Sequence, residues 1–361
     1  MIIEQIEVRR KAFGETSVTS HAVPYLTEGE VLARIERFAL TANNVSYALS
    51  GDMIGYWKFF PVEEPWGIVP VWGFADIVQS RCDALPVGER IWGFLPMATH
   101  VALKPVQVAD GSFTDGAEHR APLPGIYNTY QRTTGDPPEM KALEDERCIL
   151  FPLFTTSFIL CDYLVDNAHF GARQIIVGSA SSKTGLGLCN LLMRLNSGRP
   201  RVIGLTSPRN LDFLRSLGMC DDVRTYQQIG DLDASLPTAF VDMSGSAEVI
   251  SGIHGHIGEN LKLSTGVGAT HWQGPRFRGE GASVPHNFFF APTQFMKREQ
   301  EWGPGEVIRR ASREAARMSL ELRGALSIQR VTGAEAVARA FSRLVANEIP
   351  PSIGIIASVN S

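Results

Sequence analysis

The feature that most constrains this chain is a change of texture near Cys148. Beyond it, short apolar runs begin at Gln174 (QIIVG), Arg201 (RVIGL), Asp222 (DVRTY), Ala239 (AFVDM) and Leu261 (LKLST), so successive starts lie 27, 21, 17 and 22 residues apart. Parallel strands cannot be joined by a hairpin, and each of these gaps is long enough for a crossover helix. The intervening segments carry the matching periodicity. Thr184, Leu188, Leu191 and Leu195 share one helical face, as do Asn210, Leu214 and Leu217, with Gly218 placed as a C-cap. An α/β domain with a doubly wound parallel sheet is expected over residues 151–304.

Upstream the pattern is different. Val31 to Glu36 (VLARIE) alternates at period two, and Pro65, Gly67, Pro70, Gly73, Pro86, Gly88, Gly93 and Pro96 punctuate the next sixty residues. Short strands joined by tight turns predict a small barrel over residues 1–150. The stretch Asp110 to Glu146 is polar, rich in Pro and Gly, and reads as a long functional loop around the cluster Tyr127-Asn128-Thr129-Tyr130. Pro304 opens a predicted helix over residues 305–322; another lies over 332–347, then a terminal strand over 353–359. Two domains suit 361 residues at roughly 150 per domain.

Charge and cysteine usage exclude several classes. Lys plus Arg number 34 against 38 Asp plus Glu, so no basic excess exists for nucleic acid. Glu4 and Glu7 interrupt the first nine residues, and no run of ~18 apolar residues occurs, so a soluble cytoplasmic protein without membrane association is expected. The five cysteines are widely spaced, with no C-x-x-C, which predicts buried reduced thiols.

The most informative segment is Ile175-Ile-Val-Gly178-Ser-Ala-Ser-Ser-Lys-Thr-Gly185-Leu-Gly187: a strand, a turn of small residues, then an apolar helix. Small residues admit a pyrophosphate close to the backbone, and a helix N-terminus supplies N–H donors and a positive dipole end. A nucleotide-triphosphate loop would need G-x-x-x-x-G-K-[ST]. Here Lys183 is sixth counting from Gly178 and comes after Ser182, so that reading fails at two points. Ala239-Phe-Val-Asp242 resembles a second NTPase motif, yet dinucleotide folds also end a strand on Asp. The dinucleotide reading is preferred, although G-x-G-x-x-G is absent and only Gly185 sits where the helix-packing glycine belongs. Residues Ser179, Ala180, Ser181, Ser182, Lys183, Thr184 and Gly185 are its cofactor-binding candidates. Counting 21 from Gly185 lands on Thr206, then Ser207, Pro208, Arg209 and Asn210, with no carboxylate before Asp212. Donors rather than a carboxylate at that point favour a ribose 2′-phosphate, so NADP is expected over NAD, held by Thr206, Ser207, Arg209 and Asn210.

Further residues carry a family resemblance. Glu30-Val-Leu-Ala-Arg-Ile-Glu36 and Asn43 to Gly51 (NNVSYALSG) are similar to the opening strand and N-P-x-D segment of the medium-chain dehydrogenase/reductase superfamily, in its zinc-free, quinone-oxidoreductase-like branch. Pro86 to Gly93 (PVGERIWG) resembles that family's G-D-R-V turn, and Gly178 to Gly187 resembles its A-x-G-G-V-G loop, with Ser182 and Lys183 in place of paired glycines. The resemblance implies a GroES-like barrel, completed by about 305–361, plus a Rossmann domain. Phe38 to Asn43 (FALTAN) and Val71 to Phe74 (VWGF) replace the zinc-binding Cys and G-H-E segments, and the four-Cys lobe is missing, so no zinc is expected. His254 and His256, in a predicted polar connection, have no third ligand nearby.

By family position Asn44 and Tyr47 face the nicotinamide, with Tyr127, Asn128 and Tyr130 as second candidates for substrate contact. Gly266 and Val267 lie beside the nicotinamide after the fifth strand, and His271 in the same loop is a candidate acid or base. Phe288 to Phe290 and Phe295 suit a substrate channel, core packing or a dimer contact; Arg309, Arg313 and Arg317 read as a solvated helix face. Three functions remain open at this point. One is an NADP(H)-dependent reductase of a polarised C=C or C=O in an enone, quinone or aldehyde. The others are a non-redox lyase or hydratase on the same scaffold and a nucleotide-sensing protein without catalysis. The expected partners are a small-molecule substrate and a second copy in a homodimer.

Overall fold

In the computed structural model, residues 1–196, 198–267 and 284–360 are described. They form two compact units, Met1–Ile149 with Leu326–Ser361, and Leu150–Ala325.

The first unit is built on antiparallel strands whose buried faces match the alternation in the sequence. Its larger sheet runs Ser327–Thr332, Ile353–Ser358, Val31–Leu40, Pro70–Ser80, Arg90–Pro96, Thr129–Arg132, Ser112–Asp115 and Pro105–Val106, with His100–Leu103 also pairing to Val31–Leu40. Ser327–Thr332 and Ile353–Ser358 depart from this pattern by pairing in parallel, and the helix Ala334–Val345 makes the crossover between them. A smaller sheet joins Ala12–Ala22, Ile2–Arg9 and Trp66–Gly67.

The second unit carries a six-stranded parallel sheet in the order Asp222–Thr225, Arg201–Thr206, Gln174–Gly178, Thr238–Asp242, Leu261–Gly266, Asn287–Phe288. Strand order reverses between Gln174–Gly178 and Thr238–Asp242. Open α/β sheets bind ligands beyond the carboxyl ends of the strands at such a switch point, which places the Gly178–Gly187 segment there.

Several expectations change. The sixth strand has two residues, too few for any periodicity to show. The stretch Asp110 to Glu146 is not one loop: it holds the strands Ser112–Asp115 and Thr129–Arg132, three short helical turns and the start of the helix Glu144–Asp166. The helix Glu306–Glu321 belongs to the second unit rather than completing the barrel. Arg317 donates to Asn190 Oδ1 at 2.9 Å, and Asn190 donates to Glu321 at 2.8 Å, so one edge of this supposedly solvated helix is tied to the helix Lys183–Met193. Cys148, Cys161 and Cys189 are buried thiols, but Cys82 and Cys220 are only half-buried. Helix Glu144–Asp166 is long and apolar enough to cross a membrane by length and composition, and its Phe154, Ile159, Leu160 and Leu164 are buried in the protein.

Candidate active site

In the second unit, the strand Gln174–Gly178 enters a turn and then the helix Lys183–Met193. Ser182 caps that helix, its Oγ accepting the Gly185 N–H at 3.1 Å. The serine that stands where a dinucleotide loop prefers glycine thus satisfies a backbone donor of its own helix. Ser179 adopts a left-handed φ of 54°. The glycines sit where contact is tightest: a Cβ on Gly178 would lie 2.5 Å from Asp242 Oδ1, and one on Gly185 would lie 2.6 Å from the Ser179 carbonyl oxygen.

Several predicted cofactor contacts are committed to the turn itself. The Ala180 N–H donates to the Leu205 carbonyl at 2.9 Å. Ser181 and Thr206 share a buried hydroxyl hydrogen bond of 2.8 Å, and Asn210 donates to Ser181 at 3.4 Å. These groups join the ends of two strands and shape the cradle. The Thr184 carbonyl accepts from Ser157 at 2.7 Å. Gly266 and Val267 stitch strand ends together, through Phe289 N–H to Gly266 O at 2.9 Å and Val267 N–H to Asp242 O at 2.8 Å. The other candidates are Ser207, whose Oγ is buried without a protein partner, the exposed Arg209, and Lys183, half-buried at the first helical position. Burial pulls the Lys183 ammonium down to about 8.

Asp242 settles the rival motif. Its Oδ1 accepts from Ser244 N–H at 3.0 Å and Ser244 Oγ at 2.6 Å, and its Oδ2 accepts from Gly245 N–H at 3.0 Å. A carboxylate so fully used in its own turn is a poor ligand for a nucleotide's magnesium. Tyr226, unmarked in the sequence, borders the same turn. Burial raises its phenol, and a hydrogen bond with Ser179 opposes the rise.

In the first unit the predicted catalytic residues separate into two groups. Asn44 is buried and fully employed: its Oδ1 accepts the Thr41 N–H at 2.7 Å and its amide donates to the Pro70 carbonyl at 2.9 Å, closing the capping box of the helix Ala42–Leu49. Tyr130 is buried with its ring stacked on Phe113, its hydroxyl donating to the Phe94 carbonyl at 2.5 Å and accepting from Arg120 at 3.0 Å. Asn128 is likewise buried, donating to the Arg120 carbonyl at 3.2 Å. These three side chains are engaged in hydrogen bonds within the protein.

Tyr47 and Tyr127 come together, joined by Tyr56, which no periodic pattern marked. The Tyr56 and Tyr127 hydroxyls are 2.8 Å apart. The Tyr47 ring lies 4.5 Å from Tyr56 and meets Tyr127 edge-on at 6.3 Å, with Phe59, Phe94 and Trp72 around them. The Trp72 indole, stacked on Trp92 at 4.8 Å, donates to the Tyr47 hydroxyl at 3.0 Å. An indole N–H is a donor only, so the Tyr47 oxygen accepts here and its proton remains available to an acceptor elsewhere. Burial raises all three phenols. At Tyr47 and Tyr56 the neighbouring tyrosines add to the rise, while hydrogen bonds from Trp72 and Asn43 oppose it at Tyr47. The trio is protonated at neutral pH.

His271 lies outside the described residues. His254 and His256 sit on the helix Ala247–Ile257 rather than in a connection, and they face different partners: His254 shares a 2.8 Å hydrogen bond with Ser264, which also bonds His286 at 2.8 Å, whereas His256 bonds the Leu232 carbonyl. Among the described residues no three His, Cys, Asp or Glu side chains gather as a metal site. Phe289 is buried against Tyr163 and Phe290 is 46% exposed, so the phenylalanine run lines no single surface.

No curated protein matches the chain in sequence. Among solved structures it is similar to CurA from Vibrio vulnificus in complex with NADPH (13% identity, 99% of each chain covered, TM-score 0.64). It is also similar to the CurF ER cyclopropanase from the curacin A biosynthetic pathway (14%, 99% of each, 0.62) and to the quinone oxidoreductase from Coxiella burnetii (12%, 100% of each, 0.54). At these identities the likeness is one of fold, and the fold is that of the medium-chain dehydrogenase/reductase superfamily, a GroES-like domain plus a Rossmann domain. The model of a family described as "Protein of unknown function (DUF2855)" matches residues 38–350, and the chain belongs to that family.

Proposed function

We propose that this protein is a zinc-independent, NADP(H)-dependent oxidoreductase that reduces a polarised C=C or C=O of an enone, quinone or aldehyde. The observation that carries the reading is the Tyr47 hydroxyl, buried, protonated, and hydrogen-bonded by a donor-only indole so that its own proton is left to give. When bound, the nicotinamide supplies hydride to the electron-poor carbon of the substrate. Charge then develops on the carbonyl oxygen, and a fixed donor in a water-poor aromatic site stabilises it far better than solvent does. Tyr47 fills that role and releases its proton as the oxygen becomes basic; the Trp72 and Asn43 hydrogen bonds steady the phenolate left behind. Tyr56 and Tyr127 share one hydroxyl hydrogen bond beside the Tyr47 ring.

The chain's own residues fit the cofactor. The capped N-terminus of the helix Lys183–Met193 stands at the switch point, Lys183 adds a cation to it, and the orphaned Ser207 hydroxyl with the Arg209 guanidinium offers donors to a 2′-phosphate. Zinc independence is supported by the apolar and amide residues at Phe38 to Asn43 and Val71 to Phe74. A homodimer belongs to the same proposal, supported by Phe290, Met296 and Leu320, which expose apolar surface on the second unit, as does action in the cytoplasm.

Fluorescence titration with NADPH and NADH, then turnover assays on an enone, a quinone and an aldehyde, test the reading. NADPH is expected to bind more tightly and to be oxidised by at least one substrate. Failure to bind either cofactor sinks the proposal; binding without turnover transfers the protein to the sensing class.

A further inference from the structure

Behind the tyrosine cluster lies a charge that the proposed chemistry does not use. Arg120 is 2% exposed, and its Nη1 lies 3.1 Å from Asp115 Oδ2, itself a buried carboxylate. Asp115 Oδ1 accepts the N–H groups of Lys104 at 3.0 Å and Ala117 at 3.2 Å. Asp115 also donates its N–H to the Asn128 carbonyl at 2.8 Å, while the Asn128 side chain donates to the Arg120 carbonyl at 3.2 Å. The Leu123 N–H donates to that same carbonyl at 2.9 Å. The ion pair joins Asp115 to Arg120, the backbone of both residues bonds Asn128, and within the span 115–128 so closed the Gly125–Tyr127 turn carries Tyr127.

The other side of the guanidinium faces rings. It lies 4.7 Å from the centroid of Phe60 and 5.7 Å from that of Phe59, and Phe59 in turn contacts Tyr127 at 5.6 Å and Tyr56 at 6.2 Å. Two polar atoms here, Arg120 Nε and Asn128 Oδ1, are buried without a protein partner. A buried ion pair adds little net stability over well-packed apolar side chains of similar volume, and orphaned polar atoms subtract from it. What a rigid guanidinium fork supplies instead is a fixed geometry.

We propose that Arg120 is a positioning residue: through Asp115 and Asn128 it holds the Gly125–Tyr127 turn so that the Tyr127 hydroxyl meets that of Tyr56 and the Tyr127 ring stays packed beside Tyr47. The proposal rests on the oxidoreductase reading for its consequence in catalysis, though not for the placement of Tyr127.

Two variants of the full-length protein test it, Asn128→Leu, which cuts the tie to the Arg120 carbonyl, and Arg120→Lys, which keeps the charge but loses the fork. The first readout is the phenolate absorbance of the folded protein in alkaline titration. In the wild type the buried tyrosines ionise after the exposed ones; in Asn128→Leu one further tyrosine is expected to join the early group, and in a Tyr127→Phe background the same change is expected to move nothing. The second readout is turnover with NADPH: kcat falls roughly tenfold to a hundredfold, the scale of a misplaced catalytic group, with KM for NADPH unchanged, and Arg120→Lys retains more activity than Asn128→Leu. An unaltered phenolate titration in folded Asn128→Leu, or an equal shift in the Tyr127→Phe background, overturns the proposal. A titration that moves as expected in a protein whose wild type reduces none of the substrates upholds the positioning role and removes the oxidoreductase reading instead.

Discussion

The Gly178–Gly187 turn and the tyrosine cluster are built by opposite means. In the turn nearly everything is local: ten consecutive residues, Gly178 to Gly187, make strand end, bend and helix start, and they are held largely by backbone hydrogen bonds. The cluster gathers side chains from the helix Ala42–Leu49, the turn Tyr56–Lys58, the strands Pro70–Ser80 and Arg90–Pro96, and the turn Gly125–Tyr127. A region made of backbone fails when something is added to it, whereas a region made of side-chain hydroxyls fails when an atom is taken away.

The largest test of that contrast is Tyr47→Phe. It removes one oxygen from a ring that packs through its faces and edges, so the fold is expected to persist while kcat falls by about 10²-fold or more, the usual contribution of general acid catalysis. NADPH affinity, measured by fluorescence titration, is expected to stay at the wild-type value. Loss of both together would show that the phenol holds the barrel rather than the reaction.

Gly185→Ala is the complementary change. Its new methyl would meet the Ser179 carbonyl at 2.6 Å and Ala180 Cα at 2.8 Å, both backbone, so the turn has to shift rather than a side chain swing away. Overpacking of this kind costs about 1–3 kcal/mol, read as a lower midpoint in denaturant unfolding. NADPH affinity is expected to fall with it. Unchanged affinity would separate the cofactor from this turn.

The same difference decides how much of each region was legible in the sequence. The strands Gln174–Gly178, Arg201–Thr206 and Thr238–Asp242 announce themselves as mostly apolar runs at helix-length spacing, and Ser182 to Gly185 is a local word. Asn44 could be marked as a candidate only by family position, and Tyr127, Asn128 and Tyr130 only by neighbourhood. Their roles depend on which partner each amide or hydroxyl finds: Pro70 for Asn44, Arg120 for Asn128, Phe94 for Tyr130, and Tyr56 for Tyr127. Those partners lie 26, 8, 36 and 71 residues away in sequence, beyond the reach of any periodicity. The helix Glu306–Glu321 teaches the same lesson, since an amphipathic stripe declares that a face is buried but not against what.

Arg209→Ala separates side-chain recognition from the backbone cradle beside it. A guanidinium bonded to a 2′-phosphate is a charge-assisted contact that NADH cannot make. The expected result is NADPH affinity reduced roughly tenfold, the size of one such hydrogen bond, with NADH affinity unchanged; equal effects on both cofactors would move the 2′-phosphate elsewhere.

The smallest expected effect concerns Lys183, the position where the backbone-built turn relies on a titrating side chain. Burial lowers its ammonium from the ordinary 10.5 to about 8. Below pH 8 the amine is charged in the folded protein and attracts a cofactor phosphate; as pH rises through 8 that charge is lost, so NADPH affinity is expected to weaken between about pH 7 and 9. Folding responds with the opposite sign. Between 8 and 10.5 the unfolded chain binds the proton that the folded chain has released, so this group makes folding more favourable as pH climbs through that window. In Lys183→Met the affinity profile flattens and the alkaline gain in stability disappears. A variant profile that still bends near pH 8 would assign the titration to another group and leave the turn a backbone cradle alone.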